Sequence, residues 1–415
     1  MYLTRRKKLG SRPKIDRLRK RAGALWSSIT ARYWRTVRKK GIWLHRYSMQ
    51  RWMCTGFEGL HSNTAQAVNH AFFDALNAWR ANRKRTGTRP PHKQKRYFKL
   101  VYRQSSIRIR EGKLRLSNGR GEDPLWVRWP HPKPYEVEIV FDGSEHVLCA
   151  KYKTELQARA KADKVAGVDL GEVHLAVAYD GEETVLMNGR KLRALRQYQN
   201  RIKARLDAKL SRKERGSNRY KKLACSKTKQ LARLQNQITD LLHKMSTRLV
   251  EALHERGVST IALGDVRWIR SGLHYGATAN QRLHQWAFGT LRHMITYKAQ
   301  LRGMTVELVN EAYTSQTCPQ CKCRNKPQSR NYRCSACRFE GHRDQVGAAN
   351  IRARYMQAKY LGEDRSKRSA LLSSTPVIGT MAFPTGVRYK PHMRCRPQRC
   401  SSTSSAKTSG KELLH

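Results

Sequence analysis

Two Cys-x-x-Cys pairs, Cys318 with Cys321 and Cys334 with Cys337, lie twelve residues apart. Four thiolates delivered by two tight turns match the tetrahedral coordination of zinc, and a chain that brings both turns to one ion must double back between them. The spacing predicts a zinc ribbon over 312–341 holding one structural Zn²⁺. Cys323 has no partner at the same spacing and reads as a spare thiol. Soon after the second pair come His342, Arg343 and Asp344, so a carboxylate follows the metal site closely along the chain.

The remaining cysteines, Cys54, Cys149, Cys225, Cys395 and Cys400, show no disulfide framework. No apolar leader opens the chain and no run of eighteen apolar residues occurs, so a reducing, intracellular setting without a membrane partner is expected. Charge narrows the partners further. Lys and Arg number 85 against 30 acids, a formal net charge of +55 over 415 residues, whereas solubility asks for only about 2 to 8 in a small domain. Such an excess calls for a polyanion, and nucleic acid is the obvious one. The charge is also segmental. Residues 1–50 carry 16 Lys or Arg and the single acid Asp16, residues 190–233 carry 17 against Asp207 and Glu214, and a third cluster occupies 80–96. Three basic segments suggest a long groove for an extended duplex, since one base-reading helix would need only one.

In the first segment Ile15, Leu18, Ala22, Leu25, Ile29 and Tyr33 recur at helical steps opposite an arginine-rich face. Val68, Phe72, Ala75 and Trp79 mark a second helix, which stops before Arg89, Pro90 and Pro91. From Ser105 the period falls to two, Ile107 and Ile109 alternating with Arg108 and Arg110, and short strands follow at 126–129, 137–141 and 147–152. Residues 1–160 therefore read as a nucleic-acid-binding domain, helices set among the strands of a small β-barrel or sheet. Trp126 and Trp129 read as core fillers ahead of base-stacking platforms. Beyond Lys164 an apolar strand at 165–171 carries Asp169, strands at 175–179 and 184–187 complete a meander, and 190–256 forms a helical hairpin broken near 215–218. A strand at 258–263, a helix at 283–301, a strand at 304–309 and, past the cysteines, a helix of small residues from Val346 finish the periodic part. Residues 363–415, rich in Ser, Thr, Lys and Pro, read as a disordered basic tail. The fold class is α/β with a small β-barrel.

Phosphodiester hydrolysis needs hard cations held by carboxylates, and Asp169 and Asp344 both stand where elements end. The run from Gly167 through Asp169 to Gly171, the strand at 260–265, the run 313–321, and the run from His342 through Asp344 to Ile351 stand in the order found in TnpB proteins. These are transposon-encoded, RNA-guided nucleases related to the small type V CRISPR effectors. The chain resembles that family strongly over 165–355, and its N-terminal part resembles the family's wedge and recognition domains more loosely. The resemblance implies an RNase H-like nuclease domain of the RuvC type, divided by the zinc ribbon into 161–311 and 342–362. It makes Asp169 the first catalytic carboxylate and Asp344 the last, with two Mg²⁺ ions about 3.5 to 4 Å apart.

One departure is serious. The family's middle catalytic Glu ends a strand just before an Asp-Leu, where this chain has Gly264 followed by Asp265. Glycine offers no ligand, and strand alternation turns the side chain of Asp265 to the opposite face. Glu311 ends the next strand, and neighbouring strands lie about 4.8 Å apart, so Glu311 is the preferred replacement as catalytic residue and magnesium ligand. Asp265 is the alternative, and a structural role for both would leave a weak or dead nuclease. His342 stands where the family often has another Asp, and reads as a phosphate or zinc contact or as a solvated loop residue.

What the resemblance implies is an RNA-guided DNA endonuclease with guide RNA, target duplex and displaced single strand as partners. The N-terminal domain would read a short target-adjacent motif. The rival readings are a nuclease-inactive, repressor-like DNA-binding protein and a transposase-accessory DNA-binding protein. The expected location is the prokaryotic cytoplasm, at nucleoid DNA. Glu311 lies seven residues before Cys318 and Asp344 seven after Cys337, so closing the ribbon around zinc is expected to bring those two carboxylates together.

Overall fold

The computed structural model describes residues 1–82, 87–158, 163–266 and 276–360; the expected tail at 363–415 lies outside the described residues. The N-terminal part runs β1 (Tyr2–Gly10), α1 (Pro13–Lys40), α2 (Arg46–Cys54), α3 (Ser62–Asn82), β2 (Leu100–Arg103), β3 (Ile107–Arg110), β4 (Lys113–Leu116), β5 (Leu125–Arg128), β6 (Glu136–Phe141) and β7 (His146–Lys153). Pro13 opens α1 at its first turn, and Gly41 closes it with φ 67° while donating its N–H to Val37, the start and stop that each residue favours. The whole stripe from Ile15 to Tyr33 is buried. Strand β1 is hidden in the sequence because four consecutive basic residues, Arg5 to Lys8, mask any alternation. It is an edge strand, paired with β7 from Tyr2 opposite Lys153 to Gly10 opposite His146, where lysine and arginine guard against further pairing.

Two antiparallel sheets, ordered β1-β7-β6-β2 and β3-β4-β5, share one core with the three helices. Trp129 lies in that core and donates its indole N–H to the Tyr152 hydroxyl. Trp126 does not, which corrects the expectation for that residue: β5 turns Leu125 and Val127 inward, and alternation leaves Trp126 outside.

The second part runs β8 (Val165–Asp169), β9 (His174–Tyr179), β10 (Thr184–Asn188), α4 (Arg190–Ser211), α5 (Asn218–Glu255), β11 (Thr260–Gly264), α6 (Ala277–Gln285), α7 (Phe288–Leu301) and β12 (Thr305–Val309). It ends with the short hairpin β13 (Asn331–Arg333) and β14 (Glu340–His342), then α8 (Arg343–Tyr360). The helix expected at 283–301 is interrupted at Trp286, whose φ of −68° and ψ of 141° are extended. The break lets Trp286 and Phe288 both enter the core beneath the sheet. Strands β10-β9-β8-β11-β12 form one five-stranded sheet in that order, with β8, β11 and β12 parallel and β9 antiparallel to β8. Helix α8 lies against β8 so closely that a Cβ on Gly167 would sit 2.1 Å from the Ala348 carbonyl. Small residues at that crossing let the first turn of α8 reach the end of β8.

Candidate active site and zinc ribbon

Strand order places the carboxylates. Asp169 ends β8, Gly264 ends the adjacent β11, and Glu311 follows β12 on the far side of β11. The Glu311 side chain reaches back across the gap: a Cβ built on Gly264 would lie 2.8 Å from Glu311 Oε2. The missing side chain at 264 is therefore the room that the Glu311 carboxylate occupies. Asp344, in the first turn of α8, approaches from above the sheet, and Gly347 one turn later leaves space for Asp169, whose Oδ2 would be 2.8 Å from a Cβ there.

Electrostatics show Asp169 under the influence of the other two acids. Burial first, then the charges of Glu311 and Asp344, push the Asp169 carboxyl up to about 8, against a smaller opposing pull from Arg343. Burial, then the charge of Asp265, raises Glu311 to about 7. Asp265 donates its backbone N–H to Val309 at 2.8 Å and neighbours Glu311, while the charges that act most on Asp169 are those of Glu311 and Asp344. Carboxylates that repel one another at close quarters are hard oxygen donors of the kind a divalent cation takes, although among the described residues Asp169, Glu311 and Asp344 do not form a group with all ligand atoms within 4.8 Å of one another.

The backbone around Glu311 is held firmly. Buried Arg354 of α8 donates to the carbonyls of Asn310 at 2.6 Å and Ala312 at 2.9 Å, gripping the chain on both sides of Glu311. Buried Asn350 donates to the carbonyls of Thr314 and Thr317 at 2.7 and 2.8 Å, which pins the entry to the ribbon onto the same helix. Asp344 has its own holders, which sequence reasoning misses. Buried His174, the first residue of β9, places Nδ1 2.7 Å from Asp344 Oδ2, and Arg330 in the ribbon reaches the same oxygen at 2.9 Å. No spacing rule finds them, because they lie 170 and 14 residues from Asp344. His342 is half-buried, accepts the Asp344 amide at Nδ1 and packs edge-on to His174 with ring centroids 4.9 Å apart. It belongs to this group rather than to the zinc ligands or to open solvent.

Cys318, Cys321, Cys334 and Cys337 converge with sulfur atoms within 4.8 Å of one another, two pairs being 3.6 and 3.5 Å apart. Zinc–sulfur bonds of about 2.3 Å ask for tetrahedral edges near 3.8 Å, so the donor set fits zinc. The two turns are built alike. Lys322 and Arg338, each just after the second cysteine of a pair, have φ of 65° and 59° and donate their N–H groups to Cys318 and Cys334. That left-handed conformation costs a non-glycine residue about 1–2 kcal/mol, a strain a bound metal would hold. Cys323 is exposed and outside the cluster.

Comparisons with known proteins bracket this centre. Residues 135–270, which contain Asp169, match a family model described as probable transposase, and residues 288–351, which contain Glu311, the four cysteines and Asp344, match one described as Cas12f1-like, TNB domain. TnpB-like protein MJ0751 of Methanocaldococcus jannaschii is 27% identical over 220 residues, 51% of this chain and 76% of that protein. This chain resembles that TnpB-like protein over about half its length. The chain is also 27% identical over 281 residues to the putative RNA-guided DNA endonuclease InsQ of Escherichia coli, covering 62% of this chain and 67% of that one. It is 34% identical over 227 residues to the putative RNA-guided DNA endonuclease Rv2885c of Mycobacterium tuberculosis, 52% of this chain but only 46% of the relative. Matched segments span from 46% to 76% of the curated relatives' own lengths. The fold is that of a solved Cas12f1 chain from a complex with guide RNA and target DNA, at TM-score 0.54 and 12% identity over 81% of each chain. Among the described residues, no helix is long and apolar enough to cross a membrane.

Proposed function

We propose that this chain is a metal-dependent, RNA-guided DNA endonuclease of the TnpB kind. In this reading 161–311 and 342–362 make one RNase H-like nuclease domain of the RuvC type, interrupted by the zinc ribbon 312–341. Residues 1–160 make a wedge and recognition domain, its two sheets forming the small barrel. The observation that carries the reading is the seat of Glu311: its carboxylate lies beside Gly264, in the volume of the missing side chain, and bears on Asp169. Gly264 is the feature that favours a nuclease-inactive repressor, and a carboxylate delivered to the same place removes that argument.

Asp169, Glu311 and Asp344 would hold two Mg²⁺ ions. Bound there, the ions supply an activated water and stabilise the leaving oxygen of the phosphodiester. The chain's own residues do the rest. Arg354 fixes the backbone that carries Glu311, His174 and Arg330 orient Asp344, and Arg343 lowers the cost of ionising Asp169. Guide RNA and target strand would lie along the basic faces of α1, α4 and α5, with sequence read by base pairing rather than by the protein. Work at nucleoid DNA in a prokaryotic cytoplasm follows from those partners.

The test is cleavage of a guided DNA target by purified protein carrying its copurified RNA, with and without Mg²⁺. Asp169→Ala, Glu311→Ala and Asp344→Ala should each abolish cutting while leaving target binding intact, and Asp265→Ala should cut. Retained cutting by Glu311→Ala would overturn the assignment of the third carboxylate. Tight guided binding with no cutting by the wild type would restore the repressor reading.

A further inference from the structure

The proposed magnesium site is all oxygen, yet its last carboxylate sits among nitrogens. A donor atom from each of His174, His342 and Asp344 lies within 4.8 Å of the others. His174 is 5% exposed and reaches Asp344 Oδ2 at 2.7 Å, while the His342 ring stands 4.9 Å from that of His174 at 64°. Mg²⁺ takes oxygen donors almost exclusively, whereas first-row transition ions accept imidazole, Fe²⁺, Ni²⁺, Cu²⁺ and Zn²⁺ more tightly than Mn²⁺. A buried histidine paired to a carboxylate is often only an orienting contact. Here a second imidazole closes on the same carboxylate, at the position where the family resemblance places an oxygen ligand.

We infer that His174 and His342 join Asp344 in binding a divalent transition ion that accepts imidazole, Mn²⁺ being the ion to test. This rests on the nuclease reading for its meaning but not for its chemistry. The ion takes the place of the hydrogen bond between His174 Nδ1 and Asp344 Oδ2, the neutral imidazole ligating through Nδ1 and carrying its N–H on Nε2. The Arg330 guanidinium, 2.9 Å from the same oxygen and 47% exposed, holds positive charge there in the ion's absence and swings out when it binds. Guanidinium cannot ligate, because it has no lone pair to give; the two imidazoles can. The consequence is a centre whose three carboxylates can take Mg²⁺ but whose position at Asp344 favours an ion that also accepts nitrogen, so that metal preference is set at Asp344 and not at Asp169 or Glu311.

The experiment uses the full chain with zinc retained in its ribbon, loaded with Mn²⁺. Electron spin echo spectra of bound Mn²⁺ should show ¹⁴N modulation from imidazole, weakened in both His174→Gln and His342→Gln. Calorimetric titration should show each variant losing about tenfold to a hundredfold in Mn²⁺ affinity, and a larger factor for Mn²⁺ than for Mg²⁺; equal losses for the two ions would mean that the histidines only orient Asp344. The wild-type spectrum needs no variant to fold, so instability of His174→Gln leaves the test standing. Mn²⁺ bound without nitrogen coupling overturns the inference even if the chain cuts DNA. Nitrogen-coupled Mn²⁺ in a chain that cuts no guided target supports the metal site and overturns the nuclease reading instead.

Discussion

Glu311 and position 264 compete for one volume, and this makes a reciprocal prediction possible. Gly264→Glu alone should drive its carboxylate into that of Glu311 and destroy cutting. Glu311→Ala alone should lower cutting by at least about a hundredfold, since metal ions supply several kcal/mol of transition-state stabilisation. The double variant Gly264→Glu with Glu311→Ala should recover part of the lost rate, because a ligand returns from the neighbouring strand. Initial rates on a guided substrate, with binding measured in parallel, check the set; a double variant no better than either single one would refute the shared seat. The absence of an acid at 264 is readable from the residues alone. Glu311, at the end of the next strand, is the replacement the sequence favours; that its carboxylate turns into the volume beside Gly264 depends on packing that sequence periodicity does not encode.

At the scale of elements, the ribbon and α8 behave as one unit. Asn350 and Arg354 tie 310–317 to α8, and Asp344 begins that helix. Zinc removal, or Cys334→Ser, should therefore loosen more than the ribbon: hydrogen exchange should accelerate across 310–345 and cutting should fall with it, at one zinc per chain by metal analysis. Asn350→Ala leaves two carbonyls without their donor and should cost about 1–3 kcal/mol in denaturant unfolding. A different element pair carries the pH dependence. Buried Lys298 of α7 donates to the His243 carbonyl and to the Ser246 and Thr247 hydroxyls of α5. Burial, then the nearby Arg302, lowers it to about 8. Between about pH 8 and the unfolded value near 10.4 the unfolded chain binds the extra proton on this lysine, so the Lys298 contribution to stability should rise with pH across that window, by at most about 1.4 kcal/mol per unit. The penalty is fully present below pH 8. Lys298→Met should flatten the rise, measured as denaturation midpoints from pH 7.5 to 10.

In the proposed nuclease the whole molecule would meet nucleic acid through charge and exposed rings. A groove on α5 is lined by Lys222, Cys225, Ser226, Lys229, Gln230 and Arg233. Replacing Lys222, Lys229 and Arg233 with Gln should reduce the salt slope of nucleic-acid binding by about 2.7, at about 0.9 for each phosphate left unneutralised. At the other end, Trp43, Tyr47 and Trp52 are each more than half exposed, and Arg80, Arg46 and Arg32 cover one face of each ring at 4.9, 5.0 and 5.1 Å. Trp43→Ala and Trp52→Ala should each weaken single-strand binding by about 1–3 kcal/mol, read by filter binding. Strand patterning in the sequence draws attention to Trp126 and Trp129 instead, because an exposed ring beside an arginine is visible only once helices α1, α2 and α3 are packed.

Some of this protein is decided within short stretches of chain. The two cysteine pairs, the helix stripe from Ile15 to Tyr33, the strand that ends in Asp169, the small-residue helix that follows Asp344 and the excess of positive charge all arise from spacing or composition that covalent neighbours enforce. Other features belong to interactions between distant segments. The order β8-β11-β12, the close approach of α8 over Gly167, the Glu311 carboxylate beside Gly264 and the convergence of His174 and Arg330 on Asp344 join residues up to 170 positions apart or more. Periodicity reports which face of an element is buried and says nothing about which other element covers it. The ligands that local spacing supplies are therefore legible in the sequence, and the seat of Glu311 and the histidines brought in by strand order and helix packing had to await the fold.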